Sequence, residues 1–177
     1  MEPIILNIIS NENVGRKTLI EKSIFYFEQK VKVGIITFNN ELKRFPANVF
    51  NVEKENIDNL INELISKKYE IIIIMNNYGL DSPIFIKNAR NMLLMSVDQK
   101  ENLPLIYPEL FKKMDCIVIT KFDLLDRYSF DISRVRNSLD YLKGDMPVFL
   151  SSSKDNLLIK HFAEFFIDEI TEAKKGR

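Results

Sequence analysis

Residues 4–20 read IILNIISNENVGRKTLI, and this stretch decides the fold. It begins with an apolar run, Ile4–Ile9, which is short and rich in β-branched residues, as buried strands are. A polar turn, Ser10–Gly15, follows, and Lys17 and Thr18 then open an amphipathic segment. A strand, a turn and a helix that begins with Lys-Thr have the layout of a P-loop, which holds phosphate groups.

The phosphate-loop signature, G-x-x-x-x-G-K-[ST], is incomplete here, because its two glycines fall on Asn11 and Arg16. Glycine serves there because inward-facing N–H groups need positive φ angles and a close backbone approach. Asparagine tolerates a positive φ, and Gly15 could take part in a turn shifted by one residue. Arg16 could block the phosphates, lie outward or supply positive charge. We expect a nucleotide-phosphate and Mg²⁺ site at Gly15, Arg16, Lys17 and Thr18; the alternative is a plain helix N-terminus.

Apolar runs and helical patterns alternate along the rest of the chain. The further predicted strands are Val31–Phe38, a short one around Val49, Glu70–Met75, Met92–Val97, Cys116–Thr120 and Pro147–Leu150. The predicted helices are residues 17–29, 57–65, 108–114, 132–142 and 157–170, with a loop at 99–108 and a polar tail at 171–177. Continuous apolar strands indicate a mostly parallel sheet with helices on both faces. We therefore predict one α/β domain over residues 1–177, a three-layer P-loop NTPase fold with its ligand at the carboxyl ends of the strands.

Composition argues against several classes of function. The chain has 177 residues, zero formal net charge and a pI near 6.6, so broad nucleic-acid binding is not expected. The N-terminus has no signal-peptide pattern and no apolar run reaches the ~20 residues of a membrane helix, so we expect a cytoplasmic protein without membrane contact. Cys116 and His161 are the only residues of their types, and no transition-metal site is expected.

A second motif follows the predicted strand at residues 116–120. Thr120, Lys121 and Asp123 form a T-K-x-D sequence similar to the guanine-reading motif of GTPases. The Asp123 carboxylate can accept from N1–H and the 2-amino group of guanine, a pair that adenine lacks. The aliphatic stem of Lys121 can lie over the base, and Ser152 lies in a loop similar to the one that contacts the guanine O6. The competing interpretation makes these residues solvated loop charges and helix caps.

Three longer pieces resemble the HypB/UreG type of nickel-insertion GTPases, which mature hydrogenase and urease. YEIIIIMNNYGLDSP, residues 69–83, resembles a strand and an E-N-V-G-N-L-V-C-P segment of that family. SVDQKENLPLIYP, beginning at Ser96, resembles S-V-T-E-G-D-D-K-P-L-K-Y-P and leads to a strand and a K-x-D-L-L piece. PVFLSSSKDNLLIKHFAEFF, residues 147–166, resembles the family's last strand, S-A-K loop and helix. The resemblance implies a GTP- or GDP-binding homodimer that uses Mg²⁺ and works with partner proteins in metallocentre assembly.

Residues that this family uses for chemistry are replaced. Asn76 stands where an acidic residue would hold the waters of magnesium, and residues 36–40 offer no Asp after the second strand. Ser82 is the nearest match to a metal-binding Cys, and no Cys-His pair occurs near residues 51–56. Because magnesium is a main source of charge stabilisation in phosphoryl transfer, we expect weak hydrolysis or none.

The sequence therefore favours a degenerate HypB/UreG-like protein that binds guanine nucleotide weakly or not at all and acts as an accessory in nickel-enzyme assembly. The first alternative is an active GTPase in which Arg16 and an acid, Asp98, Glu12 or Glu41, replace the missing groups. The second is an interaction domain that binds no nucleotide. The backbone of residues 10–17 separates these interpretations: a hollow of anion size favours nucleotide, and a hollow filled by Arg16 does not.

Overall fold

The computed structural model describes residues 2–38 and 48–175. Within these residues seven strands form one sheet, and every pairing between neighbouring strands is parallel. The strands are β1 Ile4–Ser10, β2 Val33–Thr37, β3 Asn48–Asn51, β4 Ile71–Asn76, β5 Arg90–Ser96, β6 Cys116–Thr120 and β7 Val148–Leu150. Their order across the sheet is β3-β2-β4-β1-β5-β6-β7. The first strand of the chain thus lies at the centre of the sheet.

Helices cover both faces of the sheet. The α-helices of the described residues are α1 Arg16–Phe27, α2 Ile57–Ser66, α3 Leu103–Ile106, α4 Pro108–Phe111, α5 Ile132–Leu142 and α6 Asn156–Lys175. Two 3₁₀ segments, Lys54–Asn56 and Phe122–Arg127, complete the set. Helices α1 and α6 pack on one face, whereas α2, α4 and α5 pack on the other. The predicted three-layer fold with a mostly parallel sheet is confirmed.

Strand β4 shows why the central strands read as unbroken apolar runs. All six of its residues are buried, and successive side chains point to opposite faces of the sheet. Ile73 and Met75 join the core beneath α1 and α6, while Ile72 and Ile74 join the core beneath α2. A strand covered on both faces has no solvent side and therefore no polar alternation.

Two local predictions were wrong. Residues 99–108 are not a plain loop, because α3 forms within them; Pro104 lies in its first turn, where the missing N–H costs no helix hydrogen bond. The final helix does not end before the polar tail but continues to Lys175. Lys174 pairs with Glu70, and lysines suit the C-terminal end of a helix dipole.

The carboxyl ends of the strands place the candidate site. In a parallel sheet all strands point the same way, so the segments after β1, β4, β5, β6 and β7 lie along one edge. The segment after β2, including Glu41, lies outside the described residues. No described helix has the length and apolar character needed to cross a lipid bilayer.

Candidate functional site

The loop between β1 and α1 turns at Gly15. Gly15 has φ +82° and precedes the first residue of α1, and its carbonyl accepts from the backbone N–H of Leu19 at 3.0 Å. Asn13 also has a positive φ, +60°. Glycine takes such angles without the steric cost of a Cβ, and asparagine tolerates them better than most residues. The left-handed turn thus falls on Gly15, one residue before the signature position that Arg16 occupies.

Arg16 directs its side chain back towards the central strands. Its Nη1 donates to Ser10 Oγ at 3.0 Å and to the backbone carbonyl of Asn76 at 3.3 Å. Ser10 ends β1 and Asn76 ends β4, which is paired with β1 in the sheet. The guanidinium is therefore held over the carboxyl ends of the two central strands rather than extended into solvent.

A hollow remains in front of this loop. Its volume is about 450 Å³, and it is lined by residues 12–18 together with Lys121. Lys17 and Thr18 belong to this lining, as the P-loop pattern predicts for a lysine and hydroxyl that face phosphate groups. The first turn of α1 adds backbone N–H groups that have no partner within the helix. Arg16 contributes to the wall of the hollow and does not fill it.

Thr120 connects the loop to the second motif. Its hydroxyl lies in hydrogen-bond contact with the backbone carbonyl of Val14, and it is 3.3 Å from the carbonyl of Met95. The nearest neighbour of a Cβ built on Gly15 would be Thr120, at 3.7 Å. The end of β6 is thereby fixed against the phosphate-loop backbone.

Lys121 begins the segment after β6 in a left-handed conformation, with φ +56°. Its Nζ lies 2.6 Å from Asp98 Oδ2, across from the end of β5. Burial raises the pKa of Asp98, but hydrogen bonds from Lys121 and Ser96 lower it by more, and the pKa lies below its ordinary value. Asp98 is therefore charged at neutral pH and holds Lys121 at the rim of the hollow.

Asp123 faces the loop after β7. Its Oδ1 accepts from the Ser152 hydroxyl at 2.7 Å, and Lys154 Nζ lies 3.5 Å from Oδ2. The Ser152 hydrogen bond and the charge of Lys154 hold the pKa of Asp123 below its usual value. Ser152 Oγ also accepts from the backbone N–H of Lys154 at 3.0 Å. These contacts bring together two residues predicted from separate motifs and fix the direction of the carboxylate.

The two motifs share one continuous region. A second hollow, of about 250 Å³, is lined on one side by Gly15 and Thr18 and on the other by Thr120, Lys121 and Asp123. Gly15, Thr18 and Lys121 line both hollows. The phosphate loop and the T-K-x-D segment thus form adjacent halves of one cleft.

The side-chain amide of Asn76 takes part in a buried hydrogen-bond network and does not face this cleft. Its Nδ2 donates to Asn7 Oδ1 at 3.1 Å and to the carbonyl of Ile84 at 2.6 Å. Asn7 Nδ2 donates to the same carbonyl at 2.8 Å and to Asn91 Oδ1 at 2.9 Å. Asn7 and Asn76 are fully buried, and buried amides require such partners. The network fastens the segment after β4 to the central strand.

Sequence reasoning missed this network, because one asparagine within an apolar run does not reveal whether a partner asparagine faces it. It also missed the direction of Arg16, which depends on the position of β4. Of the acids considered as substitutes, Glu12 lines the first hollow and Asp98 is paired with Lys121, while Glu41 lies outside the described residues. The described residues contain no group of three or more His, Cys, Asp or Glu able to hold a metal ion.

The sequence and the fold of the chain were compared with those of known proteins. No protein-family model matches the chain. The hydrogenase/urease maturation factor HypB of Helicobacter pylori (strain J99) is 27% identical over an alignment of 187 residues that covers 95% of this chain and 77% of that protein. The factor of the same name from Helicobacter hepaticus is 24% identical over 180 residues, which cover 91% and 74%.

Solved structures are similar over nearly the whole chain. HypB from Helicobacter pylori in complex with nickel has a TM-score of 0.82 at 24% identity and covers 97% of this chain and 88% of its own. HypB from Archaeoglobus fulgidus has a TM-score of 0.79 at 17% identity, with 95% and 90% covered. FlhF complexed with GMPPNP and Mg²⁺ has a TM-score of 0.65 at 14% identity, with 94% and 75% covered.

The parallel sheet and the loop before α1 together define a protein of the P-loop NTPase fold class. Within that class the alignments reach almost from end to end of the chain. The chain is HypB-like: over nearly its whole length it is similar to the hydrogenase/urease maturation factors named HypB. The relative from Helicobacter pylori was solved with nickel, so the expectation of no transition metal in this chain stays a prediction. Burial raises the pKa of the Cys116 thiol to about 12, which disfavours the thiolate that binds metals.

Proposed function

We propose that this chain binds a guanine nucleotide in the cleft between residues 12–18 and the T-K-x-D segment, and that it hydrolyses GTP poorly. The proposal rests on one observation: the phosphate half and the base half of the cleft adjoin each other. The hollow at Lys17 and Thr18 adjoins the hollow at Asp123, and Lys121 belongs to both. A phosphate site and a base site at this spacing suit one nucleotide better than two separate ligands.

The base half has the chemistry for guanine. An ionised carboxylate at Asp123 accepts from two N–H groups of guanine, and its low pKa keeps it ionised at neutral pH. The Ser152 hydroxyl fixes one carboxylate oxygen, which reduces the conformational freedom lost on binding. The paired Lys121 side chain lies at the boundary of the two hollows, where its stem can cover a base.

The described part of the phosphate half has binding groups, and at the end of β4 an asparagine stands where an acid is expected. Lys17 supplies charge, Thr18 supplies a hydroxyl and α1 supplies backbone N–H groups. The end of β4 carries the amide of Asn76, which is engaged with Asn7 and Ile84. Of the substitutes for the missing acids, Asp98 is engaged by Lys121. This arrangement supports retention of nucleotide more than hydrolysis and makes the phosphate loop a degenerate Walker A sequence.

We further propose that the chain serves as an accessory in nickel-enzyme assembly, as a homodimer that acts with a maturation partner protein. The relatives named hydrogenase/urease maturation factors support this role. We place the protein in the cytoplasm. The alternative of an interaction domain without nucleotide has no specific observation in its favour, because the cleft keeps both of its hollows.

The experiment that tests the proposed activity is a GTP turnover assay on the native chain and on Lys17→Ala, with Lys30→Ala as a matched control. Lys30 is exposed beyond the end of α1, so its loss removes an equal charge away from the cleft. We expect all three proteins to release phosphate at a rate close to that of buffer. Multiple turnovers that disappear only in Lys17→Ala would show an active GTPase and reject weak hydrolysis.

A further inference from the structure

The Arg16 side chain lies next to a position that has a known role in the P-loop NTPase fold. In P-loop NTPases, Mg²⁺ is held by the Ser or Thr after the loop lysine and by an Asp of the sheet. The corresponding residues here are Thr18 and Asn76. The Arg16 guanidinium is fixed beside the second of these, through Nη1 contacts with Ser10 Oγ and with the carbonyl of Asn76. A permanent positive charge therefore lies at the end of β4, beside the hollow lined by Lys17 and Thr18.

The described residues at the end of β4 do not fit Mg²⁺. This ion demands near-octahedral oxygen coordination, usually from one or two carboxylates in addition to phosphates and water. The Asn76 amide is committed to the buried network, and the Ser10 hydroxyl accepts from Arg16. Arg16 and Lys17 would both repel a divalent cation placed at this end of the hollow. Of the described residues that line the hollow, Thr18 offers a hydroxyl and Glu12 a carboxylate, and Glu12 belongs to the loop before α1 rather than to the end of β4.

We propose that the Arg16 guanidinium replaces Mg²⁺ as the charge partner of the nucleotide phosphates, so that GDP and GTP bind without a divalent cation. The inference rests on the proposed guanine-nucleotide site. Guanidinium is planar, always protonated in proteins and suited to phosphate oxygens. Its anchor on Ser10 and Asn76 fixes the charge before nucleotide arrives, which lowers the entropic cost of ordering it.

Replacement of Mg²⁺ by Arg16 also allows the nucleotide to bind without supporting its hydrolysis. A guanidinium neutralises phosphate charge by hydrogen bonding, but it does not bridge two phosphates and orient ordered water as a coordinated metal does. Arg16 thus acts as a binding residue for phosphate. Its position explains why an arginine can stand where the signature has glycine: the left-handed turn has moved to Gly15, and the following side chain is free of that backbone requirement.

The test is a titration of native protein with fluorescent methylanthraniloyl-GDP in buffer with Mg²⁺ and in buffer with excess EDTA. The same pair of titrations is run on Arg16→Ala, Arg16→Lys and the control Arg136→Ala, whose side chain is exposed on α5. Urea unfolding of each variant checks that it is folded. The native comparison decides the question even if a variant fails to fold, because it changes only the metal.

We expect the native dissociation constants with Mg²⁺ and with EDTA to agree within about threefold, and Arg16→Ala to bind roughly tenfold more weakly or worse in EDTA. Arg16→Lys should fall between native and Arg16→Ala, and Arg136→Ala should match native. Native binding that weakens about tenfold in EDTA would overturn the role of Arg16 while leaving the nucleotide site in place. Unchanged binding by folded Arg16→Ala would overturn it as well. No binding under either condition would reject both the site and the inference.

Discussion

The two halves of the cleft hold their charges differently. In the base half, each charged side chain is bound by other side chains. Ser152 and Lys154 contact Asp123, and Asp98 contacts Lys121. In the phosphate half, the Arg16 cation is held by the Ser10 hydroxyl and by a backbone carbonyl at the end of β4. The base half thus matches the pattern expected of a guanine reader, whereas the phosphate half combines a P-loop backbone with an added cation.

This difference indicates which half of the cleft tolerates substitutions and which half does not. In the proposed site the base half reads hydrogen-bond donors with a few side chains, so the loss of one is expected to end recognition. The phosphate half depends largely on backbone N–H groups and summed positive charge, which tolerate a changed source of charge. Under the proposed function, the cleft therefore keeps a guanine nucleotide as its ligand while its interaction with phosphate changes. Four substitutions test this difference between the two halves, and their expected effects decrease in the order given.

Asn76→Ala should cause the largest loss of stability, about 2–4 kcal/mol in the free energy of unfolding. The substitution removes the amide that donates to Asn7 and to the Ile84 carbonyl, and it leaves the Asn7 oxygen buried without that donor. Urea unfolding provides the measurement, with Asn137→Ala on the exposed side of α5 as the control, expected within about 0.5 kcal/mol of native. Equal losses in both variants would show that the network does not support the end of β4.

Asp123→Asn should weaken GDP binding by roughly 10- to 100-fold, because an amide oxygen accepts one of the two guanine N–H groups and the amide NH₂ opposes the other. The same change should favour xanthosine diphosphate, whose 2-carbonyl accepts from the new NH₂ group. Asp126→Asn is the control, since it removes an equal charge from the same 3₁₀ segment. If GDP preference stays the same in Asp123→Asn, Asp123 does not read the base.

Gly15→Ala should cost about 1 kcal/mol of stability and also weaken GDP binding, since a Cβ disfavours the φ of +82° at the turn. Gly144→Ala is a matched control, because Gly144 has φ +86° and nothing lies within 4 Å of a Cβ built there. Both variants should lose similar stability in urea unfolding, and only Gly15→Ala should bind GDP less tightly. Equal GDP binding by the two variants would separate the turn from the nucleotide site.

Asp98→Asn should have the smallest effect, about 0.5–1 kcal/mol at neutral pH, because the Lys121–Asp98 pair is more than a quarter exposed. The folded-state pKa of Asp98 is lowered, so its stabilisation is fully present above the unfolded value of about 3.9 and is lost as pH falls through the folded-state pKa. Urea unfolding of both proteins at pH 7 and at a series of acidic pH values should therefore show a difference that is kept down to the unfolded-state pKa and disappears below the folded-state pKa. A difference that persists in acid would not come from this ion pair.

The sequence predicted the frame of the fold better than the details of the cleft. The strand over residues 116–120 and the helix over 132–142 were predicted with the bounds that the structure has, because continuous and 3.6-residue apolar patterns are local signals. Gly15 was identified as a candidate turn from its residue type. The direction of Arg16 and the Asn7–Asn76 network were not predictable, because both depend on contacts between residues more than 50 positions apart. The final turns of α6 lie beyond the predicted helix, because the polar residues at 171–177 indicate a tail rather than a helix.

We expect the cleft to bind a guanine nucleotide despite its altered phosphate half. Calorimetric titration of the native chain with GDP, and in parallel with ADP, tests this most directly, because the two ligands share their phosphates and differ in the base that Asp123 meets. We expect one-site binding of GDP and no measurable heat with ADP at the same concentrations. A flat titration with GDP at millimolar nucleotide, or equal binding of both nucleotides, would contradict it.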